Sequence, residues 1–326
     1  MQLRKLGKYG PAVSALGLGA MGMSGMYGPS DRSESIATIH AALDAGMTLI
    51  DTGDFYGMGH NEMLIAEALK GVPRDRYVLS VKFGAVRDPA GGWIGFDGRP
   101  AAVKNFLAYS LQRLGVEAID IYRPARLDPN VPVEDTVGAI SEMVQAGYVR
   151  YIGLSEVGAE TIRRAAAVHP IADLQIEYSL ISRGIEDKIL PTLRELGIGV
   201  TAYGVLSRGL LSGHWKPGAA TPGDYRAISP RFLSGNVEAN LTLADALGQV
   251  AAGKGKCGAG GDRLGSGSRR QYRASHRRSA ARSAFGIARR RDGCRQSRGS
   301  RCDRAGRAER YRGRSALSRA GHGPSR

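Results

Sequence analysis

An aspartate, a tyrosine and a lysine form the most chemically suggestive group in the sequence. Asp51 and Tyr56 lie five residues apart in a segment that follows the apolar residues 47–50, and Lys82 follows the apolar residues 77–81. A phenol has an ordinary pKa of about 10 and becomes a useful acid at neutral pH only if a cation lowers that pKa. We predict a proton-donor site in which Tyr56 gives the proton, Lys82 favours the tyrosinate and Asp51 positions Lys82.

This prediction depends on how the two apolar segments are arranged. If they are neighbouring parallel strands, Asp51, Tyr56 and Lys82 meet at the same C-terminal strand end. Spacing alone also leaves a structural interpretation open, in which Asp51 caps a helix, Tyr56 packs in a loop and Lys82 is a surface charge.

Strand-like and helix-like segments alternate along the chain. The pattern predicts strands at residues 16–19, 47–50, 77–81, 119–122, 151–154, 173–176 and 199–202. Amphipathic helices are predicted at residues 33–45, 61–69, 104–114, 133–146, 159–168, 189–196 and 237–252. Seven strands in steady alternation with helices favour a (β/α)8 TIM barrel over a doubly wound sheet, and residues 2–14 predict an N-terminal β-hairpin. Functional residues of such a barrel lie at the C-terminal strand ends.

Three glycines offer a competing interpretation. Gly17, Gly19 and Gly22 have the spacing of a dinucleotide-binding fingerprint. That motif requires a helix that opens directly on the glycines and an acidic residue about 20 residues later. Here a loop rich in Gly and Met follows, so we predict instead that these glycines allow the backbone to approach a ligand closely.

The local string around Tyr56 carries a family resemblance. Residues 51–62 read DTGDFYGMGHNE and resemble the signature segment of the aldo-keto reductases, and the resemblance extends over about residues 3–255. It implies an NADPH-dependent oxidoreductase that reduces aldehydes and ketones to alcohols by hydride transfer. In this family the residues that match Tyr56, Lys82 and Asp51 carry the proton transfer, and NADH stays open as an alternative cofactor.

The ends of three predicted strands match residues that bind the nicotinamide cofactor in that family. By resemblance, Ser155 and Gln175 hydrogen-bond the carboxamide, and Tyr203 stacks on the ring. The loop of residues 204–209 then wraps the pyrophosphate. Its cofactor-binding candidates are Gly204, Leu206, Ser207 and Gly209.

Two positions depart from the family pattern. Glu156 stands where the family usually has Asn, which affects one contact to the carboxamide. Ala125 stands where the family has a His that orients the substrate carbonyl, and losing one such donor costs about 3 kcal/mol. Either Arg126 or His60 supplies the missing donor, or Arg123 and Arg126 are simply surface charges; both interpretations stay open.

The composition changes abruptly after residue 255. The chain has 46 Lys+Arg and 30 Asp+Glu, but residues 256–326 hold 21 of the basic and only 4 of the acidic residues. All three cysteines also lie there, with spacings that fit neither a zinc site nor a disulfide framework. We predict an aldo-keto reductase-like barrel over residues 1–255, a disordered Arg/Gly/Ser-rich tail over residues 256–326, and no metal site.

Three interpretations of the tail stay open. It is a polyanion-binding arm, a solvated extension without a task, or the product of out-of-frame translation. We favour the third, because the change falls where a barrel should continue. The eighth strand and the last helix are therefore expected to be missing or replaced.

The sequence supports functions of different classes. The first is the carbonyl-reducing enzyme, acting on a small-molecule substrate. The second is a catalytically weak nicotinamide-binding regulatory or interaction protein on the same barrel. The third is a defective product whose basic tail binds nucleic acid and other polyanions nonspecifically. The N-terminal residues lack an apolar signal core, and no run approaches the roughly 18 apolar residues of a membrane span, so we expect a cytoplasmic protein with no membrane partner.

Overall fold

The computed structural model of the protein describes residues 1–212, 224–252 and 284–287. These residues belong to one compact unit, Met1–Ala288. The predictions for the rest of the basic tail lie outside the described residues. The predicted domain boundary after residue 255 stays a prediction.

Seven strands run parallel to one another around a barrel, as the alternating pattern predicts. A short antiparallel hairpin of β1 (Leu3–Lys5) and β2 (Ala12–Ser14) precedes them. The parallel strands are β3 (Leu16–Gly19), β4 (Leu49–Gly53), β5 (Val78–Phe83), β8 (Ile119–Pro124), β9 (Val149–Ser155), β10 (Ile171–Glu177) and β11 (Gly199–Tyr203). A second hairpin, β6 (Ala85–Arg87) with β7 (Trp93–Phe96), was not predicted and follows β5 directly.

The eighth position of the barrel is filled by a segment of the basic region. Strand β12 (Ala284–Ile287) lies between β11 and β3 and closes the barrel. It pairs antiparallel with both neighbours, against the direction of the other seven strands. Within the described residues the parallel repeat therefore ends at β11, and a replacement stands in the eighth place.

Helices connect the strands and cover the barrel. They are α1 (Arg32–Asp44), α2 (His60–Ala68), α3 (Pro100–Leu114), α4 (Val133–Gln145), α5 (Ala159–Val168), α6 (Ile189–Leu196) and α7 (Asn236–Ala252). The carboxylate of Asp31 caps α1 by accepting from the backbone N–H of Glu34 at 2.7 Å. In α4 the buried face repeats at Val133, Val137 and Ile140, as expected for one face of a helix. No helix in the described part of the chain is long and apolar enough to cross a membrane.

Alternation along β4 separates two environments. Ile50 packs in the large core between strands and helices. Leu49 faces the barrel interior, where it packs with Leu6 and Val13 of the N-terminal segment. The hairpin therefore closes the N-terminal end of the barrel with apolar side chains. Two residues further on, Asp51 continues the inward-facing row toward the C-terminal end.

Candidate active site

The register of β4 and β5 brings Asp51 and Lys82 together. Asp51 pairs with Ser80 and Gly53 pairs with Lys82, so both strands end at the same level. The ammonium of Lys82 forms an ion pair with Oδ1 of Asp51 and also donates to the backbone carbonyl of Thr52 at 2.9 Å. The side chains of Lys82 and Asp51 are only 6% and 1% exposed. The interpretation of Lys82 as a surface charge is therefore wrong.

The second oxygen of Asp51 is held by two further donors. The hydroxyl of Ser80 donates to Oδ2 at 2.7 Å, and Nε2 of Gln175 donates to the same oxygen at 2.6 Å. Gln175 comes from β10, which is not a neighbour of β4 in the barrel order. The carboxylate is thus fixed from β5 and from across the interior, and Ser80 is a site residue that the sequence argument missed.

Tyr56 lies against this pair in the loop after β4. Its side chain is buried at 5% exposure, and the ammonium of Lys82 lies 5.0 Å from the centroid of its ring. The loop is held against β5 by a hydrogen bond, in which the N–H of Asp54 donates to the carbonyl of Lys82 at 2.9 Å. Phe55 packs edge-on against Tyr56 with ring centroids 4.8 Å apart. The structure therefore brings the three predicted proton-transfer residues into one cluster.

The pKa of Tyr56 does not follow the prediction. Burial, and after it the Asp51 carboxylate, raises the pKa of Tyr56 well above its ordinary value, whereas the charge of Arg126 lowers it. The net shift is opposite to the lowering that the sequence predicts, because removing a phenolate from water costs more than Arg126 gives back. Tyr56 consequently stays a protonated phenol through neutral pH. That Lys82 favours the tyrosinate stays a prediction.

The same burial acts on Lys82 in the opposite sense. Burial lowers the pKa of Lys82, and the ion pair and hydrogen bond with Asp51 raise it again in part. Arg123 and Arg126 add further lowering by repulsion. The cluster therefore holds a neutral proton donor beside a cation whose charge depends on Asp51.

The end of β8 lacks the expected carbonyl-orienting group. Ala125 is buried, and its N–H donates to the carbonyl of Phe83 at 2.8 Å. Arg126 is exposed at this end, and its Nη1 donates to the carbonyl of Ala125 at 2.6 Å. His60 is engaged elsewhere, since its Nδ1 lies 2.9 Å from the hydroxyl of Ser24. Arg123, in contrast, is fully buried, so its interpretation as a surface charge is wrong.

The ends of β9, β10 and β11 form a second polar edge at the same mouth. Ser155 is buried at the end of β9. Glu156 has a positive φ of 54° and accepts from the N–H of Glu177 at 2.8 Å. Burial raises the pKa of Tyr203, and so do the charge and the hydrogen bond of Glu156. A buried hydroxyl at the same strand ends as a half-buried phenol ring fits the carboxamide edge and one ring face of a nicotinamide.

The loop after β11 has an unusual backbone. Positive φ values occur at Gly204 (62°), Ser207 (50°), Arg208 (57°) and Gly209 (99°). Turns with such backbone conformations occur in anion-binding loops, although here the N–H groups of Ser207 and Gly209 donate to the carbonyls of Gly204 and Leu206. The hydroxyl of Ser207 lies 3.2 Å from that of Ser179, and Nη1 of Arg208 donates to the hydroxyl of Tyr27 at 2.8 Å. Leu206 is half exposed. The loop fits the predicted pyrophosphate contact in its backbone shape and in its cation.

Comparison with known proteins agrees with this geometry. Residues 15–258 match the profile described as the Aldo/keto reductase family. The match ends close to the change in composition after residue 255. A protein of Glycine max named probable aldo-keto reductase 1 is 40% identical over 244 residues, which cover 74% of this chain and 70% of that protein.

Two solved structures extend the comparison to the fold. A glycerol dehydrogenase from Gluconobacter oxydans is 33% identical with a TM-score of 0.69, covering 78% of this chain and 79% of that one. An aldo-keto reductase from Bacillus halodurans, in its holo form, is 29% identical with a TM-score of 0.64, covering 76% and 77%. The barrel fold is therefore shared with these oxidoreductases.

Proposed function

Because the chain belongs to the aldo/keto reductase family, we propose that it reduces aldehydes or ketones with NADPH and that Tyr56 is the proton donor. The observation that carries the proposal is the buried cluster in which Lys82 pairs with Asp51 and lies 5.0 Å from the ring centroid of Tyr56. A protonated phenol beside a buried cation is the group that a carbonyl oxygen needs when negative charge develops on it.

The roles of the three residues follow from their protonation. Bound NADPH would supply the hydride to the carbonyl carbon. Tyr56, which burial keeps protonated, donates its proton to the carbonyl oxygen. The ammonium of Lys82 stabilises the tyrosinate that this leaves, and Asp51 holds Lys82 charged and in place. Burial of the whole cluster makes each of these interactions stronger than it would be in water.

Four further groups are proposed to hold the cofactor. Ser155 and Gln175 bind the carboxamide, Tyr203 stacks on the ring, and the loop of Gly204, Leu206, Ser207 and Gly209 binds the pyrophosphate. The burial of Ser155 at the end of β9 and the positive-φ turn of the loop support this assignment. Gln175 already donates to Asp51 at 2.6 Å, so we propose that its amide links the carboxamide site to the proton-donor cluster. NADPH rather than NADH is proposed by family resemblance.

The test is cofactor oxidation by the full-length chain with an aromatic aldehyde such as benzaldehyde. We expect NADPH to be consumed with formation of the matching alcohol, and the reaction to be lost in Tyr56→Phe. Tyr109→Phe is a matched control, because Tyr109 is exposed on α3. Equal rates in all three proteins would contradict the proposal.

A second candidate is a weakly active nicotinamide-binding protein with a regulatory or interaction role. Ala125 favours it, since a buried methyl group stands where the family has a donor to the substrate carbonyl. This candidate expects micromolar NADPH binding in equilibrium titration but negligible alcohol formation with any aldehyde. Turnover of benzaldehyde at more than a few per minute would rule it out.

A further inference from the structure

A second buried ion pair lies in the barrel interior beside the proton-donor cluster. Arg123 of β8 is 0% exposed, and its Nη2 lies 3.1 Å from Oδ1 of Asp173 on β10. Thr201 of β11 donates its hydroxyl to the other oxygen of Asp173 at 2.5 Å. The interior of such a barrel is normally filled with branched apolar side chains. A buried ion pair there is costly to desolvate, so its presence calls for a reason.

The register connects this pair to the cluster. Lys82 of β5 is paired directly with Arg123 of β8. Nη2 of Arg123 donates to the hydroxyl of Ser80 at 3.0 Å, and that hydroxyl donates to Oδ2 of Asp51 at 2.7 Å. A serine hydroxyl has one proton, and the guanidinium can only donate. The direction of the chain is therefore fixed: Arg123 to Ser80, and Ser80 to Asp51.

The neighbouring strand makes room for the pair. Gly153 of β9 has an ordinary backbone conformation, so no positive φ demands a glycine there. A Cβ at this position would lie 2.7 Å from Oδ1 of Asp173 and 3.0 Å from Nε of Arg123. Any side chain at residue 153 would therefore displace one member of the pair. The space left by Gly153 is what lets the guanidinium reach across the interior to Asp173.

On the basis of the proposed function, we propose that Arg123 is a positioning residue for carbonyl reduction: held by Asp173, it fixes the Ser80 hydroxyl as a donor to Asp51 and so sets the geometry and charge of the Asp51–Lys82 pair beside Tyr56. Arg123 does not touch the phenol or the substrate in this proposal. It acts through Ser80 and through its charge on Lys82.

The charged groups around Lys82 give the proposal a measurable consequence. Asp51 faces Lys82 from β4, Arg123 from β8 and Arg126 from the residues after β8, and Arg123 and Arg126 lower the pKa of Lys82 that burial has already lowered. Removing Arg123 removes one repulsion, so the pKa of Lys82 rises. A purely structural arginine would change stability without changing the protonation of Lys82.

The first experiment measures kcat against pH for NADPH-dependent benzaldehyde reduction by the full-length chain. Two variants are compared with the parent: Ser80→Ala, which cuts the chain of donors, and Arg123→Met/Asp173→Asn, which removes both charges together. We expect kcat at neutral pH to fall about tenfold in each, as for one lost charged hydrogen bond. In the double variant the alkaline limb of the profile moves to higher pH, and KM for NADPH changes less than twofold.

Arg74→Met is the matched control. Arg74 pairs with the buried Asp120 at 2.6 Å near the N-terminal strand ends. Its loss is expected to lower the melting temperature without moving the pH profile. If Arg123→Met/Asp173→Asn does not fold, the kcat of Ser80→Ala alone decides, since a rate equal to that of the parent overturns the proposal.

A second readout does not require activity. Unfolding free energies form a double-mutant cycle between Arg123→Met/Asp173→Asn and Asp51→Asn. The proposal expects the effects to be non-additive, because the two sites are joined through Ser80. A parent chain without turnover would refute the proposed function while this cycle still tests the link. Additive effects, or in an active parent an unmoved pH profile, would overturn the inference about Arg123.

Discussion

Two buried carboxylates near opposite ends of the barrel strands accept charged hydrogen bonds in different ways. Near the C-terminal ends, Asp51 is 1% exposed and accepts from Lys82, Ser80 and Gln175. Near the N-terminal ends, Asp120 is 4% exposed and accepts from Arg74 at 2.6 Å and Arg150 at 2.8 Å. The N–H of Leu79 completes this second set at 2.7 Å.

The partners decide what each carboxylate can do. Arginine stays protonated in proteins, so the charges around Asp120 are fixed and the group joins strands together. Lysine changes its pKa readily when buried, and the ammonium of Lys82 lies 5.0 Å from the ring centroid of Tyr56. The same type of ion pair is thus a structural link at one end of the barrel and, on our proposal, part of a proton-transfer site at the other.

The largest effect is expected from removing the phenol hydroxyl at the C-terminal end. Tyr56→Phe should lower kcat for benzaldehyde reduction by about 1,000-fold, because a positioned general acid contributes roughly 100- to 10,000-fold. Initial rates at saturating NADPH measure this. Retention of a tenth of the parent rate would show that another group, such as water, delivers the proton.

The next largest effect is expected when the ion pairs Lys82–Asp51 and Arg74–Asp120 are removed in turn and compared. Lys82→Met should lower kcat by about 100-fold, since the tyrosinate loses its cation and Asp51 becomes an uncompensated buried charge. Arg74→Met should leave kcat unchanged and lower the free energy of unfolding by roughly 1–3 kcal/mol. Rates and urea unfolding curves of both variants give the comparison, and equal losses of kcat would remove the distinction between the two ends.

A smaller effect is expected from restoring a donor at the end of β8. Ala125→His should raise kcat/KM for benzaldehyde by about tenfold if the imidazole reaches the carbonyl oxygen. This gain is smaller than the rate effect of a well-positioned oxyanion donor. Ala125→Leu controls for the added volume. A fall in kcat/KM in both variants would mean that the site does not accept a larger side chain at this position and would contradict the prediction.

The smallest effect concerns Asp54, in the loop between Asp51 and Tyr56. Burial, and after it the nearby Glu62, raises the pKa of Asp54 from 3.8 to about 8. The folded protein thus keeps a proton that the unfolded chain has lost, so stability falls as pH rises toward and through about 8. Between about pH 7 and about pH 9 Asp54 is expected to lower the free energy of unfolding of the parent by about 1 kcal/mol. The Asp54→Asn variant should not show this decrease. Identical pH slopes of unfolding free energy in the two proteins would refute this.

Much of the architecture could be predicted because each local sequence pattern indicates one type of secondary-structure element. Apolar segments alternate with amphipathic ones, which requires parallel strands joined by helices, and this brings Asp51 and Lys82 to one end. The hairpin at the N-terminus was likewise predicted from its local sequence. The segment resemblance then added Tyr56 as a proton donor.

The sequence gives no comparable signal for the partners of Asp51. Strand β8 is buried along its whole length, so alternation does not tell which of its side chains face inward, and Arg123 was consistent with a surface charge. The link from Gln175 to Asp51 spans 124 residues and depends on barrel closure. The sign of the Tyr56 pKa shift was also missed, because it depends on burial, which only the packed structure fixes.

The most direct test of the account follows the hydride and the proton donor together. The full-length chain is incubated with benzaldehyde and NADPH that carries deuterium on the transferable position of the nicotinamide, and the alcohol is analysed by mass spectrometry. We predict benzyl alcohol with deuterium on its carbinol carbon from the parent and from Arg74→Met, and a rate of its formation about 1,000-fold lower in Tyr56→Phe. Deuterated alcohol formed equally fast by Tyr56→Phe, or none formed by the parent, would contradict the claim that this cluster carries out carbonyl reduction.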